Sequence, residues 1–353
     1  MYRLTFLILL TLPISACFKE IVAPPPPNAS RVVPLRETTP VTSQDDAADD
    51  PAIWLNRANP EASLILGTDK QAGVEVYNLA GERVQFIPAG RTNNIDLRML
   101  PDNSQYSAVA AASNRSSNTI SLFAIDHDGR VTWLEASEID TGLQEPYGLC
   151  MFQNADGLQV FVNDTDGRFQ QWLLSPAITS GQALEFTARL VRSFRVPSQP
   201  EGCVADDSAQ RLFLGVENEG IRVTSANHND PTELLEIADI DGTILVADVE
   251  GMSLYLSEEG GYLVVSSQGN FSYAVYDSAP PFSYRGSFVI VDNPATGIDG
   301  SQETDGLAAS SLLRTQDFPA GLLVVQDGFN ELPDEAQNFK YISWQEIALA
   351  LSL

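Results

Sequence analysis

From residue 45 onward, short apolar runs rich in β-branched and aromatic residues alternate with clusters of Gly, Asn, Asp and Pro. Runs of this length, cut by turn-forming residues, predict strands rather than helices. No helical period of apolar positions is visible before the C-terminus, where residues 344–353 read as a short helix. One apolar run recurs six times, at residues 62–67, 106–112, 158–163, 210–215, 261–266 and 320–325. The repeat is spaced by roughly 50 residues. Most copies are followed by a polar patch and a second apolar segment, as in Gly73-Val74-Glu75-Val76-Tyr77 and Thr119-Ile120-Ser121-Leu122-Phe123. Six similar units, each with room for about four short strands, predict an all-β chain folded as a six-bladed β-propeller with a central channel. A pair of β-sandwiches would not generate six evenly spaced units.

The polar residues just after each run would then converge around one mouth of the channel. They are Asp69-Lys70, Ser113-Asn114-Arg115, Asn163-Asp164-Thr165-Asp166, Glu217-Asn218-Glu219, Ser267-Gln268-Gly269-Asn270 and Gln326-Asp327-Gly328. A ring so rich in carboxylates and amides suits hard cations, which prefer oxygen ligands. The first unit opens with Asp45-Asp46-Ala47-Ala48-Asp49-Asp50, four carboxylates within six residues. Like charges crowded in this way are costly unless a cation sits among them.

Charge sharpens this picture. The 353 residues carry 47 acidic and 20 basic side chains, a formal charge of −27. Such a balance argues against nucleic acid as a partner, because phosphate-backbone binding needs basic patches. An anionic substrate would need bound cations to reverse the local field. There are only two histidines, His127 and His228, and both fall in turn-like stretches. Zinc or histidine-based chemistry is therefore disfavoured. Cys150 and Cys203 form either a disulfide or two buried thiols.

The N-terminus has a charged start, a short apolar core and small residues. That is the layout of a secretory signal, and it is too short to span a bilayer. Ile14-Ser15-Ala16-Cys17 resembles a bacterial lipobox, in which the cysteine is lipidated and becomes the first mature residue. Pro24-Pro25-Pro26-Pro27 predicts a stiff, extended spacer. The expected organisation is a lipoprotein-type signal over 1–16, a Pro-rich tether over 17–44 and a propeller over 45–353. The expected location is outside the cytoplasm, lipid-anchored in a bacterial outer membrane or otherwise periplasmic or extracellular. The membrane is met only through the lipid, and the protein is expected to be a monomer.

Read in order, the motifs resemble one family. Asp46-Ala47-Ala48-Asp49-Asp50-Pro51-Ala52-Ile53-Trp54 and Asn93-Asn94-Ile95-Asp96-Leu97-Arg98 resemble the opening signatures of the β-propeller phytases. Ala111-Ala112-Ser113-Asn114-Arg115, Glu145-Pro146-Tyr147-Gly148, Glu201-Gly202 and Asp248-Val249-Glu250-Gly251 continue the match. So do Ser266-Ser267-Gln268-Gly269-Asn270, Glu303-Thr304-Asp305-Gly306-Leu307, Gln326-Asp327-Gly328 and Asn338-Phe339-Lys340.

The resemblance implies a calcium-dependent phosphomonoesterase that hydrolyses phytate, myo-inositol hexakisphosphate. Several Ca2+ ions would bind the phosphates, and a bridging water would attack phosphorus. It places Asp49, Asp50, Glu201, Glu217, Asp248, Glu250, Gln268, Asp299 and Asp305 near calcium. Lys70, Arg115 and Tyr147 match the side chains that hold the phosphate to be cleaved, and together with Glu201 and Glu217 they make up the catalytic set.

Two departures stand out. Gln71 and Thr165 occupy positions where the family often has lysines that grip a neighbouring phosphate. This predicts a weaker hold on phytate, or a preference for less phosphorylated esters, with Arg168 as a candidate substitute. The competing functions are a calcium-dependent lactonase-type hydrolase on a six-bladed propeller and a non-catalytic surface propeller that binds a ligand or partner. Lys70 and Arg115 argue against the lactonase, since a neutral substrate needs no such clamp.

Overall fold

The structure is a computed structural model that describes residues 22–102, 104–178, 184–258 and 260–353. The candidate signal and Cys17 lie outside the described residues. Six antiparallel sheets follow one another along the chain. The first blade is Ala48–Trp54, Leu64–Asp69, Gly73–Asn78 and Arg83–Ile87. The second to fifth blades open with inner strands Thr92–Met99, Pro146–Asn154, Pro200–Asp206 and Val249–Ser257. The sixth runs Leu307–Ser310, Leu322–Asp327 and Asn338–Ser343. This is the expected six-bladed propeller.

The recurring apolar run is the second strand of each blade, not the innermost. Such a strand is packed on both faces by neighbouring blades, so it reads as a continuous apolar stretch. In the second blade all seven residues of Ala108–Asn114 are buried. The core accordingly divides into apolar clusters between adjacent blades. One joins Leu66 and Val76 to Ala110 and Phe123, and another joins Tyr77 and Ile65 to Val324 and Phe339 across the sixth and first blades.

The tether expected over 17–44 is corrected for its second half. Arg36–Glu37 pairs antiparallel with Asn338–Ser343 and completes the sixth blade. Ser30–Val32 adds a parallel fifth strand to the fifth blade. Val32, Thr38 and Val41 are buried. These strands are two and three residues long, too short to show a period, and only tertiary pairing defines them. The helix Trp344–Leu351 follows the last strand, as expected, and stacks Trp344 on Tyr255 at 3.8 Å between centroids.

Cys150 and Cys203 form a disulfide, with Cα atoms 5.7 Å apart. It joins the inner strands of the third and fourth blades.

Candidate active site

Each of the first five inner strands carries the same irregularity. Its pairing with the second strand slips between Ala48 and Pro51, Thr92 and Ile95, Pro146 and Leu149, Pro200 and Cys203, and Val249 and Met252. In each case the inner strand carries extra residues against its partner, which is a β-bulge. The bulged pairs are Asp49-Asp50, Asn93-Asn94, Tyr147-Gly148, Glu201-Gly202 and Glu250-Gly251. In the sixth blade Asp305-Gly306 stands just before Leu307–Ser310. A bulge bends the strand and re-aims its side chains, and here the first member of each pair is brought toward the same point. Carboxylate oxygens of Asp49, Glu201 and Asp305 lie within 4.8 Å of one another, as do those of Glu201, Glu217 and Glu250. Asn93 Nδ2 donates to Glu201 Oε1 at 2.8 Å.

The second member of the pair is glycine in four blades because the next blade comes too close for a side chain. A Cβ on Gly148 would lie 1.8 Å from the carbonyl oxygen of Glu201. One on Gly306 would lie 2.7 Å from that of Asp49, which carries the pattern from the sixth blade back to the first. The residue opposite the bulge braces it. Thr68 Oγ1, Ser113 Oγ and Asn163 Oδ1 accept the amides of Asp50, Asn94 and Gly148. Ser113 and Asn163 also donate to the carbonyls of Tyr147 and Glu201 in the following blade.

The resulting cavity, of about 240 Å3, is lined by Lys70, Tyr147, Glu201, Glu217, Asp248, Glu250, Gln268 and Asp305, among others. Lys70 Nζ stands 3.0 Å from Asp305 Oδ2 and 2.8 Å from Asp46 Oδ1. Glu217 Oε1 accepts from Gln199 Nε2 at 2.6 Å. The Asp305 amide donates to Gln326 Oε1 at 2.9 Å. Arg115 is not among the residues lining this cavity; its guanidinium stands over the Tyr147 ring, 5.7 Å from the centroid, with Nε buried and without a hydrogen-bond partner. Arg115 is not engaged by Asp96, which pairs instead with Arg98 at 2.9 Å.

Two expected ligands lie apart. Asp50 is buried along the wall of the channel, where its Oδ2 accepts the Ile95 amide at 3.0 Å. Asp299 receives the Glu331 amide at 2.6 Å and pairs with the buried Lys340, which also contacts Glu37 and Asp327. A larger cavity of about 380 Å3 lies further along the inner strands. Its arginine, Arg98, is already matched by Asp96 and Asp207, and Leu97, Leu149 and Met252 make part of its wall apolar. We place the chemistry in the smaller, carboxylate-lined cavity.

Electrostatics set that cavity apart. Burial, then Asp305, pushes the Asp49 carboxyl well above its ordinary value, and both its oxygens are buried without a hydrogen-bond partner. Burial, then Glu201, does the same to Glu250, whose Oε2 is likewise partnerless. Burial pushes Glu217 up to about 8. Asp305 rises to about 6 by burial, with Lys70 pulling the other way. Burial would lower the Lys70 ammonium, but Asp305, Asp49 and Asp46 outweigh it and hold the charge in place. Tyr147 is raised by Glu201 first and burial second, so its phenol stays protonated. Buried acceptors with nothing to accept from fit a cation bound by oxygen ligands. Asp49, Glu201 and Asp305 could hold one ion and Glu201, Glu217 and Glu250 a second, with Glu201 shared.

A family profile described as Phytase matches residues 4–352. The chain belongs to the phytase family. A 3-phytase from Bacillus subtilis is 38% identical over 337 residues, which cover 90% of this chain and 85% of that one. Two solved structures match at low identity. One is a functionally unknown protein from Desulfotomaculum acetoxidans, 13% identical with a TM-score of 0.44 over 68% of this chain and 71% of the other. The other belongs to a nidogen/laminin complex, 16% identical with a TM-score of 0.47 over 75% and 84%. They are too distant to add to the argument.

Sequence reasoning did not single out Asp46, Asn93, Gln199, Glu303 or Gln337, all of which line or touch this phytase-family cavity. Asp46 and Asn93 sit inside recognised motifs, so their residue type was a usable cue. Gln199 and Gln337 come from connecting segments with no local signal.

Proposed function

We propose that this phytase-family chain hydrolyses phytate as a calcium-dependent phosphomonoesterase in the cavity around Glu201. One observation carries the metal: both carboxylate oxygens of Asp49 and Oε2 of Glu250 are buried without a hydrogen-bond partner within a ring of acids. When bound, calcium would neutralise phosphate oxygens and lower the pKa of water in the site. The rest falls to the chain's own residues. Lys70 supplies a point charge for a phosphate oxygen, and Arg115 a planar fork held in orientation by Tyr147. The protonated Tyr147 hydroxyl can donate a hydrogen bond to the ester. Glu217, beside Glu201 and Glu250, would help hold the second ion.

We also propose export with lipid attachment at Cys17, and a monomer as the working form. The disulfide supports an oxidising compartment. Among the described residues no helix is long and apolar enough to cross a membrane. Arg168, the candidate substitute for a second phosphate contact, is already paired with Asp164 and Asp166 at 2.8 and 2.9 Å. That supports the expected weak hold on a neighbouring phosphate. The test is phosphate release from calcium phytate by purified protein, abolished by chelation and restored by added calcium. No release at any calcium concentration would overturn the reading.

A further inference from the structure

We propose that Asp46 is a built-in competitor for the substrate phosphate: it neutralises Lys70 in the free enzyme and must be displaced when an ester binds. The proposal rests on the reading of this cavity as a phosphate-ester site. Lys70 has two anionic partners of different kinds. Asp305 is buried within the carboxylate ring, and its side chain is 10% exposed. Asp46 stands on the solvent side of Lys70, and its side chain is 80% exposed although its carboxylate lies 2.8 Å from Nζ. An exposed carboxylate loses little on moving into water, so this half of the pairing is the weak one.

The backbone around Asp46 is held firmly for so exposed a residue. Gln71 Nε2 donates to the carbonyls of Gln44 and Asp46 at 2.8 and 3.1 Å. Ser43 N donates to Asp69 Oδ2 at 2.9 Å, and Lys70 N donates to Ala47 O at 2.6 Å. The Ala47 amide donates to Gln337 Oε1 at 2.7 Å. Asp45, the residue before Asp46, adopts a left-handed φ of 61°. The loop is thus fixed while the side chain is free to swing, and its charge has the same sign as the substrate it faces. Gln71 is a positioning residue in this scheme, since it acts on the phosphate only through where it holds Asp46.

The experiment is a double-mutant cycle of Asp46→Asn and Gln71→Ala. Steady-state kinetics on calcium phytate would be paired with calorimetric binding of inorganic phosphate to the calcium-loaded protein. Asp46→Asn is expected to lower KM, and the Kd for inorganic phosphate, by about three- to fivefold, the span of a weak surface ion pair. The difference should shrink as salt screens it. Gln71→Ala should move both constants the same way by less, and should have no further effect when added to Asp46→Asn. An unchanged Kd, or a higher one, in Asp46→Asn would overturn the proposal, as would a raised calcium requirement. If the wild type binds phosphate but releases none from phytate, the functional reading fails. The phosphate titrations still decide the role of Asp46.

Discussion

Asp49 has two carboxylate oxygens in the interior with nothing to accept from. In the metal-free protein it is a liability, because burial opposes its charge and Asp305, Glu201 and Asp50 repel it. Replacing it by asparagine removes the charge while keeping the shape. The metal-free Asp49→Asn protein should therefore melt about 2–4 °C higher than the wild type. Its response to calcium should be much smaller and its phosphatase activity largely lost. Differential scanning calorimetry with and without chelator measures the first two. A metal-free variant that melts lower would show that Asp49 is already satisfied in some other way.

At the level of elements, the inner-strand bulge is the unit that builds the site. The glycine after each channel residue is its weak point. Gly148→Ala places a methyl group 1.8 Å from a backbone oxygen of the next blade. Backbone cannot yield easily, so the loss should be about 3 kcal/mol or more. Because the displaced carbonyl belongs to Glu201, calcium affinity should fall along with stability. Denaturant unfolding and a calcium titration of the same sample would show whether the two losses travel together.

The bulges also explain what the sequence could and could not reveal. The six second strands were legible because burial on both faces makes them continuously apolar. The inner strands were not, since Asp49-Asp50, Tyr147-Gly148 and Glu250-Gly251 interrupt them with charge and glycine. Ser113 and Asn163 were placed at the channel mouth by their position after an apolar run. In the structure they hold the bulges and the neighbouring blade instead. Asp299 carries the right residue type for a ligand, and only the fold reveals that Lys340 stands beside it.

For the molecule as a whole, the clustered acids predict an unusual pH response. Carboxyls whose folded pKa is raised bind protons more readily in the native state than in the unfolded chain. Their contribution to stability is complete below the ordinary values of 3.8 and 4.5. It is lost as pH rises through about 6 for Asp305 and about 8 for Glu217. Metal-free protein should thus lose melting temperature between about pH 5 and pH 8, against the usual trend of acid denaturation. Saturating calcium should cancel the loss, since it binds the ionised form and adds stability by mass action. Melting curves across that range, in chelator and in calcium, test both halves. A metal-free protein more stable at about pH 8 than at about pH 5.5 would contradict the acid-cluster account.

The outer strand of the sixth blade has a further consequence, which concerns time rather than shape. Arg36–Glu37 is among the first parts of the propeller to be synthesised, and its partner Asn338–Ser343 is among the last. Blades two to four can fold in the order in which they appear, each against its predecessor. The ring cannot close until the ribosome has delivered nearly the whole chain. Asp49 and Asp305 meet across that final joint, so an incomplete copy lacks the candidate ion site formed by Asp49, Glu201 and Asp305. Catalytic competence arrives in one step, at the end of synthesis.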